Sequence, residues 1–243
     1  MANQDLVLPL GNSALLFAPF NGAGPFTLTG RADRPRFLER PILASDVLGI
    51  VTSMTIARQN IIQSNQPFPM SMLFADQFDD QSASLGMPLA GALDIELQCT
   101  LDAPGDLSGV VSTGNWTSEV TDSEILYGPA AFNYVFGLGA VAGAGALTLT
   151  ATATRRVKLG RMCLEALGAP MDIGSILVAG AEQRSGPGTI RIGLTANANP
   201  FHATNSDVDG SYIGKWLEGG ESITIAVTGA AGGTLRGGIF LEA

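Results

Sequence analysis

The chain has 243 residues, of which 46% are hydrophobic and only 14% are charged, and its formal net charge is −9. This length suits one large or two ordinary domains, and the low charged fraction predicts a surface that is buried against neighbours. The negative charge disfavours wrapping nucleic acid as the main task, because phosphate contacts need cationic side chains. The two cysteines, Cys99 and Cys163, do not suggest a disulfide framework.

No basic segment followed by an apolar segment opens the sequence, so we expect no signal peptide and a soluble product made in the cytoplasm. The longest apolar run, 135–149, is interrupted by glycines and is too short to cross a bilayer.

A segment at 21–45 recurs at 142–166, and 11 of the 25 aligned positions are identical without a gap. The similarity continues with small insertions, for example between 53–57 and 175–179 and between 107–111 and 235–239. We interpret this pattern as two copies of one structural module, because similarity at a fixed offset is the sequence signature of a repeated module. Shared low complexity is the alternative interpretation.

Short apolar or alternating segments follow one another in each copy, separated by Gly, Pro, Asn and Asp. This spacing is typical of antiparallel sandwiches or barrels, and no segment sustains the apolar period of a helix. The sequence therefore predicts an all-β fold of two tandem antiparallel sandwich or jelly-roll modules. The predicted domains are 1–114 for the first module, 115–126 for a polar connector and 127–243 for the second module.

Three local predictions within the first copy are specific enough to test. Residues 42–49 allow a short helical turn that ends at Gly49, and residues 69–74 are predicted to form a strand. Pro104-Gly-Asp predicts a tight turn between two strands.

Eight of the 13 basic residues lie in the two equivalent segments. They are interpreted either as salt-bridge donors on solvated strand faces or as a stripe that contacts an anionic partner. That partner would be a neighbouring subunit's carboxylates, lipid headgroups or packaged nucleic acid. The eight residues are Arg31, Arg34, Arg36 and Arg40 in the first copy and Arg155, Arg156, Lys158 and Arg161 in the second.

The chain contains one histidine, His202, and no motif of a nucleophile elbow, zinc protease or phosphate-binding loop. An isolated imidazole needs an orienting partner for acid–base or nucleophilic chemistry. We therefore expect that the protein is not an enzyme.

Oxygen-bearing side chains alternate in Asn205-Ser-Asp207-Val-Asp209-Gly210. Loops that wrap Ca²⁺ use this spacing, but the twelfth position holds Trp216 instead of the bidentate Glu of an EF-hand. A calcium site at Asn205, Asp207 and Asp209 and a plain polar loop both remain open; no other cofactor is expected.

A duplicated β-module with long loops at matched places and no catalytic motif resembles the double jelly-roll major capsid proteins of viruses and bacteriophages. The resemblance covers the whole chain as architecture and has no diagnostic motif. It implies a structural virion protein, made in the host cytoplasm, that self-assembles through its barrel sides as a homotrimer within a larger shell containing other virion proteins. The alternative is a calcium-assisted carbohydrate-binding or adhesin sandwich, fibre-like, in which Trp116, Trp216 and Tyr212 would stack on sugars.

Overall fold

The computed structural model describes residues 13–16, 19–31, 36–56, 58–64, 66–74, 87–89, 94–114, 135–184, 188–201 and 212–242. These residues form an all-β structure whose strands are all paired antiparallel within three sheets. Two short 3-10 turns, Met70–Leu73 and Ala196–Ala198, are the helical segments of the described ranges. No helix within these ranges has the length and hydropathy to span a membrane. The predicted connector, 115–126, lies outside the described residues, so the domain boundaries stay a prediction.

The first half forms one eight-stranded sheet that folds around its own core. Its strands are β1 Ser13–Leu16, β2 Phe20–Arg31, β3 Arg36–Ser45, β4 Gly49–Ile56, β5 Gln59–Asn60, β6 Phe68–Pro69, β7 Met87–Leu89 and β8 Asp94–Gly114.

The second half forms a five-stranded and a four-stranded sheet that enclose a second core. Its strands are β9 Val135–Ala142, β10 Gly145–Thr152, β11 Val157–Leu167, β12 Met171–Val178, β13 Ala181–Glu182, β14 Ile190–Ile192, β15 Trp216–Leu217, β16 Ser222–Gly229 and β17 Thr234–Glu242.

The strand order in the second half is that of a jelly roll. One sheet has the order β10-β16-β12-β13, with β14 also on β12, and the other has the order β15-β11-β17-β9. The first strand thus pairs with the last and the second with the last but one, which is the nested antiparallel pairing of a jelly-roll sandwich. In the first half, β8 takes the place of both final strands: β2 and β4 flank its first part, and β1 and β3 flank its last part.

The pairing registers of the two halves correspond residue by residue. Leu28 lies opposite Leu97, and Leu149 lies opposite Ile225. Leu43 lies opposite Gly109, and Leu164 lies opposite Gly237. The residues that precede β8 or β16 in the chain, Leu28 and Leu43, have counterparts 121 positions later, since 149 − 28 = 121 and 164 − 43 = 121. Their partners, Leu97 and Gly109, have counterparts 128 positions later, since 225 − 97 = 128 and 237 − 109 = 128. The halves share one pairing scheme, and descent from a gene duplication stays the interpretation of it.

Alternation of side chains explains why these segments form strands. β4 and β12 have the same order of buried and exposed positions and the same register shift, after Val51 in one and after Ile173 in the other. Because side chains on a strand point to opposite faces in turn, the repeated pattern fixes which face packs on the core.

The tight turn predicted at Pro104 is wrong. β8 continues through this point because β2 also extends past it, with Gly22 opposite Gly105 and Gly24 opposite Leu101. The register shift leaves Pro104 in a bulge, where a missing N–H breaks no ladder bond. In the second half, the corresponding stretch 230–233 is a turn, and Gly232 there has φ 78°.

Two other local predictions are also wrong. The 69–74 stretch is a strand only at Phe68–Pro69 and then turns as Met70–Leu73, because Met70, Met72 and Leu73 are all buried and a strand would point them to two opposite faces. Residues 42–45, where a helical turn was expected, belong to strand β3 instead. Pro41 is tolerated in this strand because β7 pairs with β3 only over Arg36–Leu38 and needs no N–H from Pro41.

Candidate functional site: the junction between the halves

The core of the first half includes three residues of the second half. Val135, Cys163 and Phe240 belong to the same buried cluster as Phe68 and its neighbours. These three side chains lie on the outer face of the sheet formed by β9, β17 and β11, since alternate residues of these strands belong to the other core. β17 is consequently buried on both faces, and only its end residues are partly exposed.

The part of the first half that covers this face is residues 68–74, here called the 68–74 segment. Phe68, Met70 and Met72 are at most 1% exposed. A side chain added at Gly238 of β17 would come within 2.7 Å of the Met72 sulfur and 2.9 Å of Phe68 Cβ. Close packing of this kind requires glycine at position 238, because interiors leave no room for an added methyl group.

Backbone hydrogen bonds join the halves beside the apolar contact. Gln63 N–H donates to the Val135 carbonyl at 2.9 Å, and Gly139 N–H donates to the Pro67 carbonyl at 2.9 Å. Ser64 is 2% exposed, and its hydroxyl donates to the Gly137 carbonyl at 2.6 Å. These bonds satisfy polar groups that the junction removes from water.

A charged triad lies at another part of the junction. Arg236 of β17 has a side chain that is 4% exposed; its Nε pairs with Glu165, and its Nη1 lies 2.9 Å from Asp102 of the first half. Glu165 is 15% and Asp102 43% exposed. A guanidinium this deeply buried requires carboxylate partners, because an unpaired buried charge is strongly unfavourable.

Gly137 also lies at this junction. A Cβ at this position would overlap the Gln66 carbonyl oxygen, which belongs to the backbone of the first half. Glycine in this strand therefore allows the backbones of the two halves to approach closely.

Three of the basic residues in the sequence prediction pair with carboxylates of the same chain. Arg31 lies 3.8 Å from Asp94, and Lys158 lies 2.9 Å from Glu242. Arg156 lies 3.0 Å from Glu218 and stacks over the Trp216 ring at 4.2 Å. These are the contacts that the salt-bridge interpretation predicts, while contact with an external anionic partner stays a prediction.

Arg155 and Arg161 are placed differently. Arg155 Nε donates to Gln63 Oε1 at 2.5 Å and so belongs to the junction. Arg161 lies at the bulge of β11, and its buried Nε and Nη2 have no hydrogen-bond partner within the described ranges. Arg36 and Arg40 are described only as backbone positions of β3, and Arg34 lies outside the described residues. The stripe of eight basic residues therefore stays a prediction, since three of its side chains are not described.

Burial controls the titration of the thiols and one phenol. It raises the pKa of Cys163 to about 11, against the opposing effect of Arg161, and it raises the pKa of Cys99 to about 12. It also raises the pKa of Tyr212 to about 12. Neutral, buried thiols are poor nucleophiles, so both cysteines act here as small apolar side chains.

The predicted calcium ligands, Asn205, Asp207 and Asp209, lie outside the described residues, as do His202 and Trp116. In the part of the chain that is described, no group of three or more His, Cys, Asp or Glu residues is arranged to hold a metal ion. Tyr212 is 2% exposed and cannot stack on a sugar, which corrects its proposed role in the alternative interpretation.

Sequence reasoning missed the residues that form the junction. Arg236 and Asp102 are 134 positions apart, and Ser64 and Gly137 are 73 apart, so no local pattern connects them. The one available signal was the run Leu235 to Leu241, whose outward positions include Gly238 and Phe240 where an ordinary half-exposed strand has polar side chains.

No protein-family model matches the chain, and no curated protein or solved structure matches it either.

Proposed function

We propose that this protein is a structural virion subunit, a major capsid protein that self-assembles into a shell. The observation that carries the proposal is the pair of jelly rolls with one pairing scheme, joined through a buried junction. Jelly rolls are a common architecture of viral capsid domains. Fold alone does not fix function, so the argument depends on the surfaces that the two halves present.

The surface of the chain supports an assembling role. The sequence is 14% charged, and the exposed positions of β10 and β16 carry small uncharged residues such as Thr148, Thr150 and Thr224. Surfaces of this kind are suited to burial against another protein, since desolvating charged groups is costly. The location inside a virion, and contact of the basic residues with nucleic acid or lipid, belong to the same proposal.

Assembly of the purified protein tests this function. The chain alone has a mass of 25.1 kDa, and we expect light scattering to give a much larger mass and electron microscopy to show tiles or closed shells. A protein that stays at 25.1 kDa over its whole soluble concentration range, in several salt conditions, would contradict the proposal.

A further inference from the structure

Three large apolar side chains are exposed among the described residues, and all three belong to the second half. Leu194 is 52%, Trp216 49% and Ile213 38% exposed. The stretches that hold them run along one edge of β11, the edge that pairs with β15. Phe201, at the end of the stretch that holds Leu194, accepts a hydrogen bond from Leu164 N–H, and Trp216 lies opposite Lys158. Exposed apolar groups that gather on one side of a molecule mark an interaction surface.

This exposed stretch, residues 190–201, takes the place that the 68–74 segment has in the first half. Ile190 lies opposite Ile173, as Phe68 lies opposite Val51. At the other end, Phe201 bonds to Leu164, as Phe74 bridges to Leu43. The 68–74 segment is buried against the second half, whereas its counterpart, here called the 190–201 segment, leaves Leu194 exposed.

The face that the 68–74 segment covers also has a counterpart, on β3 and β8 of the first half. By register, Ile42 takes the place of Cys163, Ala44 that of Glu165 and Ser108 that of Arg236. Ile42 and Ala44 are partly exposed and Ser108 is exposed, around a buried Val110 that replaces Gly238. These four side chains are uncharged, with Asp106 as the next outward position on β8, and they match an apolar partner such as Leu194.

We propose that the 190–201 segment of one chain docks on the β3–β8 outer face of a second copy, so that the junction inside each chain is repeated between chains. The inference rests on the self-assembly proposed above and names its contact surface. The contact joins two different faces of the same protein, so successive copies either close into a ring or continue as a filament. It lacks the charged triad of the internal junction, because Ala44 and Ser108 replace Glu165 and Arg236.

Substitution of the exposed leucine tests the donor side. Leu194→Glu should weaken association at least about tenfold, because it removes a buried leucine and places a charge in an apolar contact. Ala144→Glu is the matched control, since it adds the same charge at an exposed position of the turn between β9 and β10, outside the surfaces named above. Light scattering of the parent and both variants over a concentration series gives the association midpoints. Equal midpoints for the parent and Leu194→Glu would overturn the proposed contact.

A disulfide test identifies the partner face directly. The double variant Leu194→Cys with Ile42→Cys should give covalently linked multimers under oxidising conditions, while each single variant should not link into chains longer than two. The native thiols are buried, at most 3% exposed, and compete little. If the parent assembles but the double variant does not cross-link, this contact is wrong and the capsid proposal stands. If the parent never assembles but the double variant links at high concentration, the contact is correct and the capsid proposal fails.

Discussion

Arg236 places a buried positive charge at the junction between the halves. Its two carboxylate partners differ in burial, since Glu165 is 15% and Asp102 43% exposed. A buried ion pair responds strongly to loss of one partner, whereas an exposed pair contributes at most about 1 kcal/mol. The two carboxylates therefore have unequal roles, although both lie within 3 Å of the guanidinium.

We expect Glu165→Ala to lower the free energy of unfolding by about 3 kcal/mol, because it leaves Arg236 buried with only the half-exposed Asp102. Asp102→Ala should lower it by less than about 1 kcal/mol. Urea denaturation of the purified variants measures both values. The double variant Arg236→Met with Glu165→Leu should recover most of the loss, since an apolar replacement leaves no uncompensated charge. A larger effect for Asp102→Ala than for Glu165→Ala would contradict this assignment.

At the scale of elements, β9 and β17 differ from the other strands because both of their faces are covered. A strand covered on one face tolerates small changes on the other, but a strand between two cores does not. Gly137 of β9 shows the constraint most directly, because its Cα faces the Gln66 carbonyl of the first half.

Gly137→Ala should therefore destabilise the protein by about 1–3 kcal/mol, the usual cost of overpacking, as the two halves must move apart. Gly174→Ala is the matched control: Gly174 also lies in a strand, β12, and an added Cβ would meet nothing closer than 3.7 Å. Thermal unfolding measures the melting temperature of both variants, and we expect the lower value for Gly137→Ala. Equal melting temperatures would show that the junction relaxes around position 137 without cost.

Local sequence patterns predict the strands better than they predict the turns between strands or the long-range side-chain contacts. The strands with alternating burial, such as β4 and β16, follow from local pattern. The 3-10 turn at Met70–Leu73 does not, because its buried side chains Met70, Met72 and Leu73 all join one core, which the sequence alone does not show. The repeat predicted equivalent positions correctly at 107 and 235, since Leu107 pairs with Ser45 and Leu235 with its counterpart Ala166. The charged triad depends on long-range packing and has no local signal.

At the scale of the molecule, the two halves have separate sheets but share part of one core. The first core contains Val135, Cys163 and Phe240 of the second half. Burial of side chains of this size stabilises a protein by roughly 1.5–3 kcal/mol each, so neither half is complete without the other.

We expect the second half alone, expressed as residues 127–243, to expose these three side chains and to aggregate or bind a hydrophobic dye. Co-expression with residues 1–126 should restore a soluble complex, because the junction contacts can form between separate chains. Dye fluorescence and the soluble fraction of each preparation are the measurements. A soluble, dye-negative second half would show that the domains are independent and that the junction is a secondary contact.

The shared register of the two halves has a further consequence, for errors during folding. Because equivalent strands pair with the same alignment, a strand of one half, such as β10, can start to pair with the wrong strand of the other half, such as β8. Tandem similar domains are prone to such misassembly. The unbroken β8 limits this error. Its bulge at 102–104 fits only β2, whose own register shift lies between Gly22 and Gly24. A mispaired β10 would reach that point without the matching extension, so the ladder would stop at the corner and the wrong partner would dissociate before it trapped the chain.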